Sequence, residues 1–256
     1  MSADENHGGK LFQVIEVDTE ENTASFCAVL DYANAKNKVF GILARNFEQQ
    51  AALSLLMDPD IDFITLLGPA GTGKTLLTLA AALSQIEDHV YEEVIFTRAT
   101  IPVGEEIGFL PGTEEEKMNP WAGAMFDNLE VLNEIVNGEN GNANNMVKRN
   151  EMIKEKVKVK AMTFMRGRSL QNKFMIIDEA QNLTPKQMKT LLTRAGEGTK
   201  IVCMGNLAQI DSPYLSEASS GLTYVAEKFK GWQNFGSLIL TKGERSRLAN
   251  EANIRL

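Results

Sequence analysis

The sequence predicts an α/β fold: a mostly parallel central sheet flanked by helices, with a small β-rich appendage ahead of it. Short, continuously apolar runs recur along most of the chain, and such runs are typical of strands that are buried on both faces. Segments with helical periodicity alternate with these runs, which favours parallel strands joined by helical crossovers. A glycine-rich turn follows the first run of the main domain, at the end of a strand where α/β proteins place their ligand sites.

Residues 1–43 contain β-like runs separated by polar stretches, which predicts the appendage, and residues 44–256 are expected to form the main domain. Asn46–Met57 has a helical pattern that the polar stretch DPDID ends. The main domain then contains predicted strands at FITLL, EVIFTRA, FMIID, KIVCMG and SLILT, and helices at KTLLTLAAALSQI and TPKQMKTLLTRAG. The asparagine- and glycine-rich residues 137–145 are expected to form a mobile surface loop.

The composition excludes several classes of protein. Of the 256 residues, 43% are hydrophobic and 23% are charged, as in ordinary soluble globular proteins. Cys27 and Cys203 are the only cysteines and His7 and His89 the only histidines, which argues against a disulfide framework, a zinc site and a Ser-His-Asp triad. No apolar run approaches the roughly 18 residues that span a bilayer, and the polar N-terminus lacks a signal core. The sequence therefore predicts a cytoplasmic protein that is not bound to a membrane.

A phosphate-binding loop is the most specific motif in the chain. Gly68–Thr75 matches the pattern G-x-x-x-x-G-K-[ST] in full, with an apolar strand before it and a helix after it. Glycines let the backbone N–H groups of such a loop point at phosphate oxygens, and the positive end of the helix adds to the attraction. Lys74 would reach the β- and γ-phosphates of ATP, and Thr75 would bind Mg²⁺. The predicted nucleotide contacts of the loop are Gly68, Pro69, Ala70, Gly71, Thr72, Gly73, Lys74 and Thr75.

Two carboxylates follow the apolar run FMII. Asp178 and Glu179 stand at the C-terminal end of that predicted strand, which is the edge of an open α/β sheet where ligands bind. Asp178 would hold the Mg²⁺ that Thr75 also binds, and Glu179 would act as general base on the attacking water. The alternative is that the pair only caps the next helix.

Further motifs resemble those of helicase-like ATPases. The tetrapeptide DEAQ at Asp178 is similar to DEAD- and DEAH-type boxes. Gly205–Gln209 resembles the G-D-x-x-Q motif of superfamily 1 helicases, which implies that Gln209 senses the γ-phosphate, although Asn206 stands where that family usually has aspartate. The segment NFEQ resembles an N-x-E-Q motif, which implies that Gln49 reads the adenine edge. Taken alone, Gln49 could equally be a solvated helix residue.

Taken together, the motifs resemble the PhoH family of ATPases over residues 42–256. The resemblance implies a RecA-like P-loop NTPase domain that acts on RNA and assembles as a homo-oligomer, for example a hexameric ring. Many relatives carry an N-terminal PIN nuclease domain, whereas residues 1–43 are too short for one and lack spaced carboxylates, so no nuclease activity is expected. The remaining segments that carry the resemblance are Ile101–Gly104, Ile107–Gly112, Glu116–Trp121, Arg166–Leu170, Leu192–Gly196, Gln209–Asp211, Gly221–Leu222 and Gly243–Ser246.

Several arginines are candidates for contact with phosphates. Phosphoryl transfer commonly uses an arginine finger, and Arg245, which resembles the last helicase motif by its position, is the first candidate, in cis or in a neighbouring subunit. Arg247 is the second candidate, and the alternative for both is a surface arginine in a C-terminal helix. Arg98, Arg166 and Arg168 flank predicted strands. They could contact nucleic acid or phosphate, or form ordinary surface ion pairs.

The charge is unevenly distributed along the chain. The formal net charge is −8, but residues 148–200 alone carry +8 and the rest carries −16. A local basic strip suits the phosphate backbone of RNA or single-stranded nucleic acid, and the alternative is a solvated helix face.

The sequence leaves two functions open. One is an ATPase acting on RNA, with a second wall of the site supplied by another subunit. The other is a nucleotide-dependent adaptor or assembly module that regulates a protein partner without strand separation.

Overall fold

The computed structural model describes residues 11–18, 21, 23–99, 114–140, 143–162 and 169–243. We number the strands and the α-helices of these residues in chain order. They are β1 (Phe12–Asp18), β2 (Thr23–Ala28), α1 (Phe47–Met57), β3 (Phe63–Leu67), α2 (Lys74–Glu87), β4 (Glu93–Arg98), α3 (Glu114–Asn140), α4 (Ala143–Lys156), β5 (Val157–Val159), β6 (Lys173–Asp178), α5 (Pro185–Leu192), β7 (Lys200–Gly205), α6 (Gly221–Phe229) and β8 (Phe235–Ile239).

A six-stranded sheet forms the centre of the molecule, in the order β5-β4-β6-β7-β3-β8. Every neighbouring pair in it is parallel. Strand β3 lies between β7 and β8, and β7 separates it from β6. Because parallel strands end at the same edge, the phosphate loop after β3 and the acidic pair that ends β6 share one edge of the sheet. The predicted RecA-like α/β fold is confirmed.

Hydrophobic side chains of the strands alternate between two cores. On β6, Phe174 and Ile176 join the core that contains α1, α2 and α3, whereas Met175 and Ile177 join the core that contains α5 and α6. All four side chains are fully buried, and burying a side chain of this kind stabilises a fold by about 1.5–3 kcal/mol. The continuous apolar run therefore forms a strand because both of its faces are covered.

The N-terminal segment divides into two parts. Strands β1 and β2 pair antiparallel, and their residues Phe12, Val14 and Phe26 are exposed. The following Val39 and Phe40 are instead buried in the core of the main domain. The hairpin is thus β-rich, as predicted, and the division of the chain after residue 43 stays a prediction.

The prediction of a mobile loop over residues 137–145 is wrong for most of that segment. Helix α3 extends into this segment as far as Asn140, and α4 begins at Ala143. Residues 141–142 lie outside the described residues. One asparagine of the segment is held by a side-chain hydrogen bond: Asn137 donates to Asn133 (2.9 Å), and Asn133 donates to Asn150 on α4. These bonds engage the NH₂ groups of Asn137 and Asn133, which could otherwise compete with the helix backbone.

A helix that crosses a bilayer must be both long and apolar. Helix α3 is long enough, with 27 residues, but acidic residues recur along it. In the part of the chain that the structure describes, no helix is both long and apolar enough to cross a membrane.

Candidate nucleotide-binding site

The loop between β3 and α2 depends on its glycines. Gly68, Gly71 and Gly73 have φ angles of 142°, 87° and 95°, which side chains rarely permit. A Cβ atom on Gly68 would also lie 2.0 Å from the carbonyl oxygen of Leu240, just beyond β8. The loop therefore curls tightly between two strands, and α2 begins directly after it at Lys74.

The Lys74 ammonium group lies over the loop. Its Nζ donates hydrogen bonds to the carbonyl oxygens of Gly68 (2.6 Å) and Pro69 (2.9 Å). The positive charge of this group adds to the positive N-terminal end of α2. The loop consequently presents a concentrated positive field where the motif predicts phosphate.

Gln49 supports the loop from behind. The side chain is 4% exposed, so the interpretation of Gln49 as a solvated helix residue is wrong. Its Nε2 donates to the Thr72 carbonyl oxygen (3.1 Å), and its Oε1 accepts from the Arg45 backbone N–H (2.9 Å). Gln49 lines the same cavity as the loop, and its contact with adenine stays a prediction.

The two carboxylates at the end of β6 share an arginine. Nη2 of Arg98, the last residue of β4, lies 3.2 Å from Glu179 Oε1, and its Nε lies 4.0 Å from Asp178 Oδ2. Glu179 has a φ of 51°, an uncommon conformation that turns the chain directly after the strand. The interpretation of this pair as a simple helix cap fails, since no side-chain capping bond of Glu179 accompanies the short helical turn Ala180–Asn182.

The surroundings of Asp178 suit a divalent cation. Burial, together with the neighbouring Glu179, raises the pKa of Asp178 to about 6, although Arg98 and Lys74 act to lower it. A carboxylate that is costly to ionise in this place is stabilised by a bound cation. Thr75 lines the same cavity, and a hydroxyl with a carboxylate gives the hard oxygen ligands that Mg²⁺ prefers. The residues present therefore fit Mg²⁺.

One cavity of about 400 Å³ brings the predicted residues together. Lys74 and Thr75 reach it from α2, Asp178 and Glu179 from β6, and Gln209 from the segment after β7. Arg245, with Arg247, Arg166 and Arg168, lies outside the described residues. The described residues that line the cavity are Arg45, Gln49, Ala70, Gly71, Gly73, Lys74, Thr75, Leu76, Arg98, Ala124, Asn128, Asp178, Glu179, Gly205, Asn206 and Gln209.

Sequence reasoning missed part of this lining. Arg45 and Asn128 belong to no motif that was identified, and Asn128 comes from α3, far from the loop along the chain. For Arg98 the sequence left contact with nucleic acid or phosphate and an ion pair both open, and the structure shows ion pairs with the two carboxylates. Its position at the end of β4, beside β6 in the predicted sheet, is the signal that could have revealed the pairing.

The basic band at residues 148–200 does not form one strip in the described part of the chain. Helix α4 packs with the core of α1 and α2, but α5 packs with the core on the opposite face of the sheet. Lys200 is buried, 1% exposed. Other members are neutralised by acids outside the band: Arg149 with Glu87 (2.7 Å), Lys160 with Glu93 (3.6 Å) and Lys173 with Glu92 (2.9 Å).

A phosphate loop, an acidic strand end and a glutamine-bearing segment around one cavity define a P-loop nucleotide-binding protein. The chain belongs to the PhoH-like protein family, whose model matches residues 41–255.

Named relatives agree with this assignment. The chain is 49% identical over 217 residues to Protein PhoH2 of Bacillus subtilis, covering 84% of this chain and 47% of the relative. It is 38% identical over 214 residues to Protein PhoH2 of Mycolicibacterium smegmatis, covering 83% and 46%. The chain thus spans about half the length of these relatives. Among solved structures, Pif1 helicase from Candida albicans aligns with a TM-score of 0.40 and 19% identity, over 83% of this chain and 44% of that one.

Proposed function

We propose that this protein is a Mg²⁺-dependent ATPase that works as an oligomer on RNA or single-stranded nucleic acid in the cytoplasm. The observation that carries the proposal is the convergence of Lys74, Thr75, Asp178, Glu179 and Gln209 on one cavity. These residues come from separate segments of the chain, and each has the chemistry that one part of phosphoryl transfer requires.

Binding of nucleotide is assigned to the loop and its lysine. Lys74 exchanges its hydrogen bonds with the Gly68 and Pro69 carbonyl oxygens for phosphate oxygens, which are stronger partners because they are charged. Thr75 and Asp178 hold Mg²⁺, which when bound neutralises charge on the phosphates. Gln49, Arg45 and Asn128 also line the cavity, and they are available to contact the base and sugar of the nucleotide.

We assign to Glu179 the role of general base, which accepts the proton of the attacking water. Both of its carboxylate oxygens are occupied: Arg98 Nη2 lies 3.2 Å from Oε1, and Gln181 Nε2 donates to Oε2 (2.6 Å). These contacts hold the carboxylate at the cavity, where a general base must lie within reach of the attacking water. Gln209 lines the cavity from the segment after β7 and is assigned to the γ-phosphate.

The nucleic-acid partner is proposed from sequence motifs and from exposed basic side chains. The motifs that resemble helicases, and Lys148 and Lys154 exposed on α4, support RNA or single-stranded nucleic acid. Oligomer formation is proposed because the described residues form one six-stranded core, so that a neighbouring subunit would supply the second wall of the site. Arg245, of the same or of a neighbouring subunit, is proposed as the arginine that faces the γ-phosphate.

Hydrolysis and binding in variants of the full chain test the ATPase. Lys74→Ala should lose most ATP affinity. Glu179→Gln should retain ATP binding but lose turnover by about 10²- to 10⁴-fold, the usual contribution of a general base. Lys228→Ala and Glu155→Gln are matched controls, because both side chains lie outside the cavity. If the wild-type protein hydrolyses ATP no faster than Lys74→Ala, the ATPase proposal is wrong.

Mass measurement by light scattering, with a non-hydrolysable ATP analogue and single-stranded RNA, tests assembly and partner together. We expect an oligomer in the presence of the analogue, and RNA binding and stimulated hydrolysis that weaken steeply as salt rises. Nucleotide-driven assembly with no RNA binding at low salt would favour the adaptor function instead.

A further inference from the structure

A buried glutamine lies behind the acidic pair. Gln181 belongs to the short helical turn that follows Glu179, and its side chain is fully buried. Its Nε2 donates to Glu179 Oε2 (2.6 Å) and to the Gln209 backbone carbonyl oxygen (2.9 Å), while its Oε1 accepts from the Asn206 backbone N–H (3.2 Å). One amide therefore connects the carboxylate with both ends of the segment Asn206–Gln209.

The orientation of this amide is determined by its partners. The NH₂ group faces a carboxylate of Glu179 and a carbonyl oxygen of Gln209, and both of these groups accept hydrogen bonds only. A reversed amide would place its oxygen against two oxygens and its NH₂ group against the Asn206 N–H. Both donor hydrogens and the acceptor are thus used in a single arrangement, which a buried polar side chain needs.

Neighbouring elements leave the amide little room to move. A Cβ atom on Gly205 would lie 2.4 Å from Gln181 Oε1, so the end of β7 packs directly against the amide oxygen. From the other side, Ser220 at the N-terminus of α6 donates through its Oγ to the Gln181 carbonyl oxygen (2.9 Å). The side chain and backbone of Gln181 are both fixed by elements outside its own turn.

We propose that Gln181 is a positioning residue that couples the segment Asn206–Gln209 to Glu179. A displacement of this segment when Gln209 meets the γ-phosphate is transmitted through the Gln181 amide to the carboxylate, which is drawn into the direction that accepts the water proton. This proposal rests on the ATPase function proposed above. It adds a mechanical link between the phosphate sensor and the base that the individual motifs do not contain.

Gln181→Met tests the link, because methionine retains the volume of the side chain but removes its hydrogen bonds. The matched control is Gln85→Met, since Gln85 is also buried and donates to backbone carbonyl oxygens, at Leu56 and Ala81, away from the cavity. We expect Gln181→Met to lower kcat about 10- to 100-fold, with KM for ATP and Kd for ADP changed less than about threefold. Gln85→Met should lower stability and leave kcat unchanged.

A second readout does not need turnover. A positioned base contributes to binding of a transition-state analogue and not to binding of product. The affinity of Gln181→Met for ADP–aluminium fluoride should therefore fall by about the same factor as kcat, while its affinity for ADP is retained. Gln181→Glu, which keeps the shape but places an acceptor against Glu179, should show the same loss.

The outcomes separate the two proposals. If the wild type does not hydrolyse ATP, the proposed function fails. If the wild type does so and folded Gln181→Met keeps its kcat within about threefold, or loses ADP affinity as much as kcat, the positioning role is wrong. Should both Gln181 variants fail to fold, Ser220→Ala decides by whether kcat falls more than ADP affinity. This variant removes the hydrogen bond to the Gln181 carbonyl oxygen and the capping bond from the Leu222 backbone N–H.

Discussion

At the scale of single residues, one guanidinium group, that of Arg98, lies beside the two neighbouring carboxylates of Asp178 and Glu179. Arg98 is about two-thirds buried and lies within 4.0 Å of both Asp178 and Glu179. Without it the two acids would repel each other in a poorly solvated place. Arg98 therefore supplies positive charge to the acid pair, as a divalent cation bound there would.

Replacing Arg98 should make the fold depend on Mg²⁺. We expect Arg98→Ala to lower the free energy of unfolding by up to about 2 kcal/mol in a chelating buffer, and added Mg²⁺ to restore more stability than it gives to the wild type. Thermal unfolding with and without Mg²⁺ measures both effects. Arg149→Ala, which breaks the pair with Glu87 far from the cavity, is the control, and an equal response of the two variants to Mg²⁺ would contradict the expectation.

A second residue, Lys200, gives a pH dependence of folding. Its Nζ donates to the Leu56 (2.9 Å) and Asp58 (2.6 Å) carbonyl oxygens at the end of α1. Burial lowers the pKa of Lys200 to about 8 from 10.5, although Asp58 and Asp62 act to raise it. Since the folded pKa is the lower one, the unfolded chain binds more protons between these values, and the stability that Lys200 contributes rises with pH through that window.

The comparison with Lys200→Met isolates this effect. Methionine leaves the two carbonyl oxygens without the ammonium group, which changes stability by an amount independent of pH. The free energy of unfolding of the wild type, relative to that of the variant, should therefore rise by a few kcal/mol as pH rises from about 7 to above 10. Denaturant unfolding of both proteins across this range provides the measurement, and a constant difference would show that Lys200 does not titrate as inferred.

At the scale of elements, the end of β7 is packed too tightly to accept a side chain. A Cβ atom on Gly205 would meet Gln181 Oε1 at 2.4 Å and a Leu222 methyl group at 2.8 Å. Gly138 in α3 has nothing within 4 Å of the corresponding point. Gly205→Ala should destabilise the fold by about 1–3 kcal/mol and lower ATP turnover, whereas Gly138→Ala should stabilise it by up to about 1 kcal/mol. Equal unfolding midpoints for the two variants would refute this assignment.

The elements that the sequence predicted well are those with a local signal. Strand β3 coincides with the apolar run FITLL, and β7 with KIVCMG, because burial on both faces selects apolar residues at every position. The helices α3 and α4 were missed over residues 137–145 because asparagine and glycine locally favour turns. In the structure the Asn137 side chain donates to Asn133 within α3, and Asn133 donates to Asn150 on α4.

The candidate site likewise has parts that the sequence predicted and parts that it did not. The phosphate loop and the acidic pair were predicted because each is a contiguous motif. The pairing of Arg98 with Glu179, and the link through Gln181, depend on which strands become neighbours. Lys200 was counted in a basic band, because composition shows a charge and not its burial.

At the scale of the whole molecule, the β1–β2 hairpin contributes little to the main core. Phe12, Val14 and Phe26 remain about half exposed, whereas the buried residues of the core begin at Tyr32. An isolated two-stranded hairpin is marginally stable in water.

Removal of residues 1–29 should therefore leave the main domain folded. We expect the unfolding midpoint to change by no more than about 2 °C, which corresponds to roughly 0.5 kcal/mol for a chain of this size, and ATP turnover to be retained. Calorimetry of the two proteins measures the first and a phosphate-release assay the second. A large loss of either would show that the hairpin stabilises the main domain or its site.

The two hydrophobic cores of the sheet have unequal sizes, and the cavity draws on both. Lys74 and Thr75 begin α2, which lies on the larger core, whereas Ala180 and Leu222, which flank Gln181, belong to the smaller one. Local opening follows the amount of buried apolar surface that holds a region closed. Amide hydrogens around Gln181 should consequently exchange with solvent earlier than those of α2. The contacts that hold Glu179 would then open locally while the phosphate loop stays folded.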